Sequence, residues 1–207
     1  MRIACSLGSL LSVEQVIECT KMISETKIDS IWIPETWGME NFSMLGAVSS
    51  ETKTQKIGSS IINIYSRSPS TISMGAATTD ILSNGRLILG LGTSSVPIVE
   101  DFHGEKFETP VQRMREYVEI IRLSLSKKQI NYSGKIFNLK NFTLLIEPKR
   151  QSIPIYLAAI NQKMVNLTWE LGDGVIFYLR PLDEMKKTIS KMQLERKIDV
   201  ACQIITI

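Results

Sequence analysis

The 207-residue chain is poor in the residues that build metal and disulfide sites, with one histidine and three cysteines. The single histidine, His103, excludes zinc sites that need two or three histidines, including the HExxH class. Cys5, Cys19 and Cys202 are far apart in the sequence and form no CxxC pair. Such a set is typical of reduced thiols in a cytoplasmic protein, so we expect that location and no metal site.

Long apolar runs and a strong excess of charge are also missing. No apolar run approaches the roughly 18 residues that a membrane-spanning helix needs. The 24 basic and 21 acidic side chains leave a net charge of +3, without a dense cluster of lysine and arginine. We therefore expect neither a membrane nor a nucleic acid as partner. The apolar content of 43% is that of a globular protein and excludes a disordered chain.

Extended apolar runs alternate with helical patterns along the chain. The pattern predicts seven strands, namely Arg2–Leu7, Asp29–Pro34, Lys56–Ile64, Arg86–Leu91, Ile155–Ala159, Val175–Leu179 and Asp199–Ile207. Strands that are apolar on both faces and alternate with helices form a parallel sheet covered by helices. An open doubly wound sheet and a closed (β/α)8 barrel both have this order of elements.

The glycines test one of these two architectures. A doubly wound dinucleotide-binding sheet has G-x-G-x-x-G in its first strand–helix turn. That turn contains Gly8 alone, and the later Gly90-x-Gly92 is followed by Ser95 where a third glycine belongs. A dinucleotide site of that kind is therefore disfavoured, whereas a closed (β/α)8 barrel needs eight strands and the pattern predicts seven. Residues 129–148 form an expected insertion, a hairpin that turns at Ser133-Gly134.

Several motifs occur together in an order that is similar to one family. They are Asn63-x-Tyr65-x-Arg67-Ser68-Pro69, Ala77-Thr78-Thr79-Asp80-x-Leu82-Ser83-Asn84-Gly85-Arg86, Gly90-Leu91-Gly92, Ile153-Pro154-Ile155-Tyr156 and Glu170-Leu171-Gly172-Asp173-Gly174. With them the chain resembles the bacterial luciferase-like superfamily of (β/α)8 flavoproteins, in particular the coenzyme F420-dependent methylenetetrahydromethanopterin reductases and their relatives.

The resemblance implies a single (β/α)8 TIM-barrel domain over residues 1–207, incomplete at the C-terminus because seven of eight strands are found. It also implies an oxidoreductase that transfers hydride between coenzyme F420 and a small organic substrate, and it implies a homodimer. Two alternatives remain open. One is an FMN-dependent monooxygenase of the same fold, and the other is a non-catalytic or fragmentary flavin-binding protein. The substrate, the hydride direction and the oligomeric state do not follow from the sequence.

Candidate catalytic residues are those that follow the barrel strands, because active sites of such barrels lie at the carboxyl ends of the strands. Glu35 and Trp37 follow the second strand, where a carboxylate and an aromatic ring can hold a substrate or form a lid. Glu35 can equally pair with Arg67 at the start of the third helix. His103 follows the fourth strand and is either a contact over the site or a surface-loop residue.

Two segments are candidates for cofactor binding. The first is the end of the third strand, with Ser59, Ser60, Ile61 and Asn63. In the family this stretch has a non-prolyl cis peptide bulge behind the deazaflavin ring, and alignment places the bond at Ser60–Ile61; an ordinary trans strand is the alternative. The second segment begins the fifth helix, where backbone N–H groups form an anion site for the cofactor phosphate, and it comprises Ala159, Ile160, Asn161, Gln162 and Lys163.

The chain departs from the family at its expected carboxylates. Ser6 occupies the position of a glutamate thought to act in the methylene-carrier reductases, and Thr93-Ser94-Ser95 replaces acidic residues after Gly92. The relatives' substrate is therefore not expected here. At the opposite, amino end of the barrel, we expect Arg86 to pair with Asp80 or a neighbouring acid.

Overall fold

A computed structural model describes residues 2–8, 10–126 and 128–204. Its strands are β1 Ala4–Ser6, β2 Ser30–Ile33, β3 Lys56–Ser59, β4 Ile62–Asn63, β5 Leu87–Gly92, β6 Ile130–Ser133, β7 Asn138–Phe142, β8 Ile155–Ala158, β9 Gly174–Tyr178 and β10 Asp199–Gln203. Its α-helices are α1 Val13–Ser24, α2 Asn41–Glu51, α3 Pro69–Leu82, α4 Pro110–Leu125, α5 Gln162–Leu171 and α6 Leu182–Glu195, and a π-helical turn covers Ile98–Phe102.

The main sheet is parallel throughout, in the order β1-β2-β3-β5-β8-β9-β10. The predicted third strand is interrupted at Ser60 and Ile61, and β4 continues beyond them and pairs with β5. The first and last strands approach each other, since Arg2 pairs with Asp199 and Gln203 Nε2 donates to Ser6 Oγ at 3.3 Å. The expected barrel is therefore confirmed: its parallel sheet has seven strand positions and curves until its two edges nearly meet. The predicted residues 205–207 of the last strand lie outside the described part.

Local sequence signals explain where most helices begin. Ser12 and Gln15 form a reciprocal capping box on α1, and Ser68 caps α3 ahead of Pro69. Helix α4 begins differently, because Thr109 ahead of Pro110 has a left-handed backbone (φ 45°) and its side chain makes no capping bond. Within the described residues, no helix is both long and apolar enough to cross a membrane.

Large side chains fill the inside of the barrel. Trp32 and Tyr156 lie with their ring centroids 5.8 Å apart. A Cβ atom on Gly58 would lie 2.5 Å from the Trp32 ring, and one on Gly174 would lie 2.7 Å from the Tyr156 ring. Glycine at both positions therefore makes room for the two aromatic rings. The apolar core between sheet and helices surrounds this inner cluster.

The amino end of the barrel is held by buried polar contacts. Asp80 is fully buried and accepts from Arg150 Nε at 3.0 Å and Nη2 at 2.5 Å. Arg86 does not pair with Asp80, so that expectation is wrong. Its guanidinium donates instead to four backbone carbonyl oxygens at 2.5–3.1 Å, those of Ser49, Thr52, Gln55 and Ser83. Arg86 thus satisfies the carbonyl groups at the end of α2, while Arg150 neutralises the buried carboxylate.

Residues 129–148 contain the antiparallel pair of β6 and β7. Glu116 of α4 is fully buried, and its carboxylate accepts the N–H groups of Lys135, Ile136 and Phe137 at 2.8–3.2 Å. Burial alone would raise the pKa of Glu116, but the hydrogen bonds from Gln112 and from this turn outweigh it, so the pKa lies below its usual value. One carboxylate therefore attaches the hairpin to the barrel.

Candidate active site

A cavity of about 510 Å³ opens at the carboxyl ends of the barrel strands. Its walls come from the residues after β2, β3, β5 and β8 and from the last residues of β9 and β10. Apolar side chains dominate these walls, namely Ile61, Ile98, Phe107, Ile160, Met164 and Ile176. The volume lies within the roughly 300–1,000 Å³ usual for ligand pockets, and the place is where such barrels carry their chemistry.

The interruption of the third strand forms one wall of the cavity. The Ser60–Ile61 peptide bond is cis, as the alignment predicts, and both residues line the cavity. The hydroxyl oxygen of Ser60 and the amide nitrogen of Asn63 are buried without a hydrogen-bond partner among the described residues. Asn63 Oδ1 accepts the N–H of Tyr65 at 2.9 Å, which fixes the amide orientation. The wall therefore holds one hydroxyl group, that of Ser60, which the described protein residues leave unsatisfied.

Glu35 lines the cavity but is fully engaged by its neighbours. Its two carboxylate oxygens accept from Arg67 Nη1 at 2.7 Å and Nη2 at 2.5 Å, and Oε1 also accepts the N–H of Asn41 at 3.1 Å. Arg67 pairs with Glu40 as well. The hydrogen bonds with Glu35 raise the pKa of Arg67, so the guanidinium stays charged. Glu35 was expected either to hold a substrate or to pair with Arg67, and the structure shows the pair with Arg67.

The loop after β5 contributes hydroxyl groups to the cavity. Thr93, Ser94 and Ser95 line the cavity, and Ser94 has a left-handed backbone with φ of 58°. Gly92 precedes them, and a Cβ atom at this position would lie 2.5 Å from Ile61. Glycine therefore permits the strand to approach the bulge closely, and this side of the cavity is polar but uncharged.

The second predicted segment divides between two depressions. Ala159, Ile160 and Asn161 line the main cavity, whereas Gln162 and Lys163 line an adjoining depression of about 470 Å³ beside Pro110 and Val111. Asn161 caps α5, because its Oδ1 accepts the N–H of Met164 at 3.0 Å.

Besides Gln162 and Lys163, four predicted residues lie away from the cavity lining. Trp37 is 69% exposed, and His103 follows the π-helical turn with its ring against Phe102. Ser59 is buried, and its hydroxyl group bonds to both the N–H and the carbonyl of Gly90 at 2.7 and 2.8 Å. Asn63 lies behind the bulge. The structure therefore brings Glu35, Ser60, Ile61 and the 159–161 segment together, but not these four.

Sequence reasoning missed several residues of the cavity. Tyr178 and Gln203 are neighbours in register at the ends of β9 and β10, and both line it. The rule that strand ends carry the site would have found both. Phe107 and Ile98 come from the loop between β5 and α4, whose sequence has no periodic pattern, so no comparable signal pointed to them.

The residues present fit a flat tricyclic ring. The cavity is large and apolar, and the unpaired hydroxyl group of Ser60 lies at its strand-three wall. Among the described residues no cluster of three or more histidine, cysteine or acidic side chains could hold a metal ion.

Comparison with known proteins agrees with this geometry. A 5,10-methylenetetrahydromethanopterin reductase from Archaeoglobus fulgidus is 37% identical over 157 residues, which cover 75% of this chain and 46% of that protein. The chain spans about half the length of the curated relatives it matches.

Solved structures share the fold. The coenzyme F420-dependent tetrahydromethanopterin reductase from Methanopyrus kandleri superposes with a TM-score of 0.86 at 21% identity, covering 97% of this chain and 65% of that one. The oxygenating constituent of 3,6-diketocamphane monooxygenase from Pseudomonas putida, in complex with FMN, gives 0.81 at 16% identity, covering 98% and 66%. The family model for luciferase-like monooxygenases matches residues 2–207. This chain therefore belongs to the luciferase-like monooxygenase family.

Proposed function

We propose that the protein is an oxidoreductase that transfers hydride between coenzyme F420 and an organic substrate. The observation that carries the proposal is the apolar cavity of about 510 Å³ at the carboxyl ends of the strands. Membership of the luciferase-like family supports it, as does the naming of similar proteins as F420-dependent.

Ile61, Ala158 and Ile176 would contact the deazaflavin ring, because they form the apolar floor around the bulge. The polar edge of the ring would form a hydrogen bond with the Ser60 hydroxyl, which lacks a partner among the described residues. The first turn of α5, with Lys163 in it, would hold the cofactor phosphate, since helix N-termini carry unpaired N–H groups and positive potential.

A bound deazaflavin supplies the two-electron, one-hydride chemistry. The protein positions the ring against the substrate and excludes water from the site. Ile98 and Phe107 exclude water from one side of the cavity, which strengthens polar contacts within it. The Arg67–Glu35 pair holds the segment after β2 in place, because one guanidinium joins it to the start of α3.

The test is a pair of titrations of the purified chain, one with F420 and one with FMN, followed by cofactor fluorescence. We expect saturable 1:1 binding of F420 and much weaker binding of FMN. Tight FMN binding without F420 binding would contradict the proposal and favour a monooxygenase of this fold. Binding of neither cofactor would favour a non-catalytic protein.

A further inference from the structure

A second depression lies on the outside of the barrel, between α5 and α6. Its volume is about 400 Å³, and it shares no lining residue with the cavity at the carboxyl ends of the strands. The second half of α5 contributes Asn166 and Trp169, while α6 and the residue after it contribute Lys191 and Arg196. All four side chains carry N–H donors, so the depression favours a ligand that accepts hydrogen bonds.

Trp169 has a donor that the protein leaves unused. The residue is 3% exposed, and its ring packs against Phe177 of β9 with the ring centroids 6.4 Å apart. Its indole Nε1 is buried without a hydrogen-bond partner among the described residues. The indole nitrogen can only donate, and buried donors are paired in most folded proteins because an unpaired one is costly. A ligand with an acceptor atom in the depression would satisfy this N–H group.

Lys191 and Arg196 place two cations at the same depression. Lys191 is exposed. Arg196 Nη1 donates to the carbonyl oxygens of Trp169 and Glu170 near the end of α5, at 3.0 Å each. The two bonds fix the guanidinium, and its other two nitrogens have no hydrogen-bond partner among the described residues. A cation that is already held in position binds an anion at a lower entropic cost.

Two carboxylates also line the depression, and one of them is compensated by an arginine. Glu170 accepts from both terminal nitrogens of Arg115 at 2.6 Å, and these hydrogen bonds lower the pKa of Glu170. Its negative charge is therefore balanced within the protein. The second carboxylate, Glu195, is exposed. Lys191 and Arg196 thus outnumber the carboxylate that remains, and the balance favours an anion.

The depression continues along the two helices into an adjoining one of about 290 Å³, which also has Lys191 in its wall. Lys187 and Arg180 line this continuation. Arg180 lies over the Phe177 ring and pairs with Glu184 at 3.4 Å, yet its Nη1 is buried without a hydrogen-bond partner among the described residues. Both depressions therefore combine a buried, unpaired N–H donor with further cations, which raises the positive potential between the helices.

We infer that the depression between α5 and α6 is a second ligand site, which binds the oxyanion of a small molecule, a phosphate or carboxylate group. The Trp169 indole N–H, Lys191 and Arg196 are its donors. Hydrogen bonds from charged donors to oxyanions are stronger than those between neutral groups, and the indole adds a bond of fixed direction. The site is independent of the proposed hydride transfer, because it uses none of the residues of the main cavity.

The experiment follows the indole 1H–15N resonances of the purified chain, which has three tryptophans. Trp169→Phe identifies the resonance of Trp169 by its loss. Sodium phosphate and sodium succinate are titrated separately, with sodium chloride keeping the ionic strength constant. We expect at least one of the two anions to move the Trp169 resonance downfield in a saturable way, because the indole N–H gains a hydrogen bond.

Two lysine variants of α6 test the location of the site. Lys191→Met keeps the aliphatic part of the side chain and removes the charge, so it should weaken anion binding about tenfold. Lys186→Met is the matched control, because it removes the same charge from the same helix and Lys186 lines neither depression. Its affinity should equal that of the wild type.

The outcomes decide between a built site and a general effect of charge. Tighter binding of phosphate indicates a phosphorylated ligand, and tighter binding of succinate indicates a carboxylate ligand; either result supports the site. The absence of a saturable Trp169 shift with both anions overturns the inference. Equal weakening by Lys191→Met and Lys186→Met also overturns it, since binding would then follow the net charge of the helix alone.

Discussion

The two ends of the barrel use their polar residues differently. At the amino end, Asp80 is buried and paired with Arg150, and Arg86 satisfies the carbonyl groups around the end of α2. At the carboxyl end, the Ser60 hydroxyl is buried without a partner among the described residues and lines a large cavity whose other walls carry the hydroxyl groups of Thr93, Ser94 and Ser95. One end is therefore built for stability, and the other has polar groups available to a ligand.

The largest expected effect is on stability, at the amino end. Asp80→Ala leaves Arg150 without its buried partner, so we expect the free energy of unfolding to fall by about 3 kcal/mol, measured by urea denaturation. Glu170→Gln breaks the exposed pair with Arg115 and should cost less than about 1 kcal/mol. Folded Asp80→Ala protein should bind F420 like the wild type. A large loss of affinity would mean that the two ends are not separate in function.

A change at the carboxyl end should act mainly on cofactor binding rather than on stability. In Gly92→Ala the new Cβ meets Ile61 and pushes it into the cavity. We expect about tenfold weaker F420 binding in a fluorescence titration, the size of a modest overpacking penalty. Gly38→Ala is the matched control, because a Cβ there meets no atom within 4 Å. Equal affinities of the two variants would argue that the ligand lies elsewhere.

The smallest effect concerns the contact between the first and last strands. Burial alone would raise the pKa of Asp199, but the hydrogen bonds from Arg2 and Tyr156 outweigh it, and the pKa lies below its usual value. The ion pair therefore contributes stability above the unfolded-state pKa of about 3.9, and this contribution is lost as pH falls toward the folded-state pKa. Urea denaturation at pH 7 and pH 3 should show a smaller acid loss for Asp199→Asn than for the wild type. An equal loss in both proteins would contradict a role of this pair.

The sequence was sufficient for the order of elements and for part of the site. Apolar strands alternating with helices predicted the parallel sheet covered by helices, because this pattern depends on local periodicity and burial. The resemblance to a family of barrels predicted that the sheet closes. The Asn63-x-Tyr65-x-Arg67 motif placed the cis bond at Ser60–Ile61. Long-range pairing was harder to predict, since Arg150 lies 70 residues from Asp80 and no pattern links them. Arg86 was consequently given the wrong partner.

Side-chain direction was the second limit. Ser59 ends β3 and Trp37 follows β2, so both are near the carboxyl ends of strands. Trp37 is nevertheless exposed to solvent, and the Ser59 hydroxyl is bonded to Gly90. Tyr178 and Gln203 stand at equivalent strand ends and line the cavity. Period-two alternation shows which residues share a face, but the turn after each strand determines which side chain reaches the ligand.

Hydrogen–deuterium exchange with and without saturating F420 tests the difference between the two ends most directly. The account predicts added protection in the segments that line the cavity, including 34–36, 60–61, 92–95 and 159–161. It predicts no change around Asp80, Arg86 and Arg150 at the amino end. Protection at the amino end, or F420 binding without protection of the cavity segments, would contradict the assignment of the carboxyl end as the cofactor site.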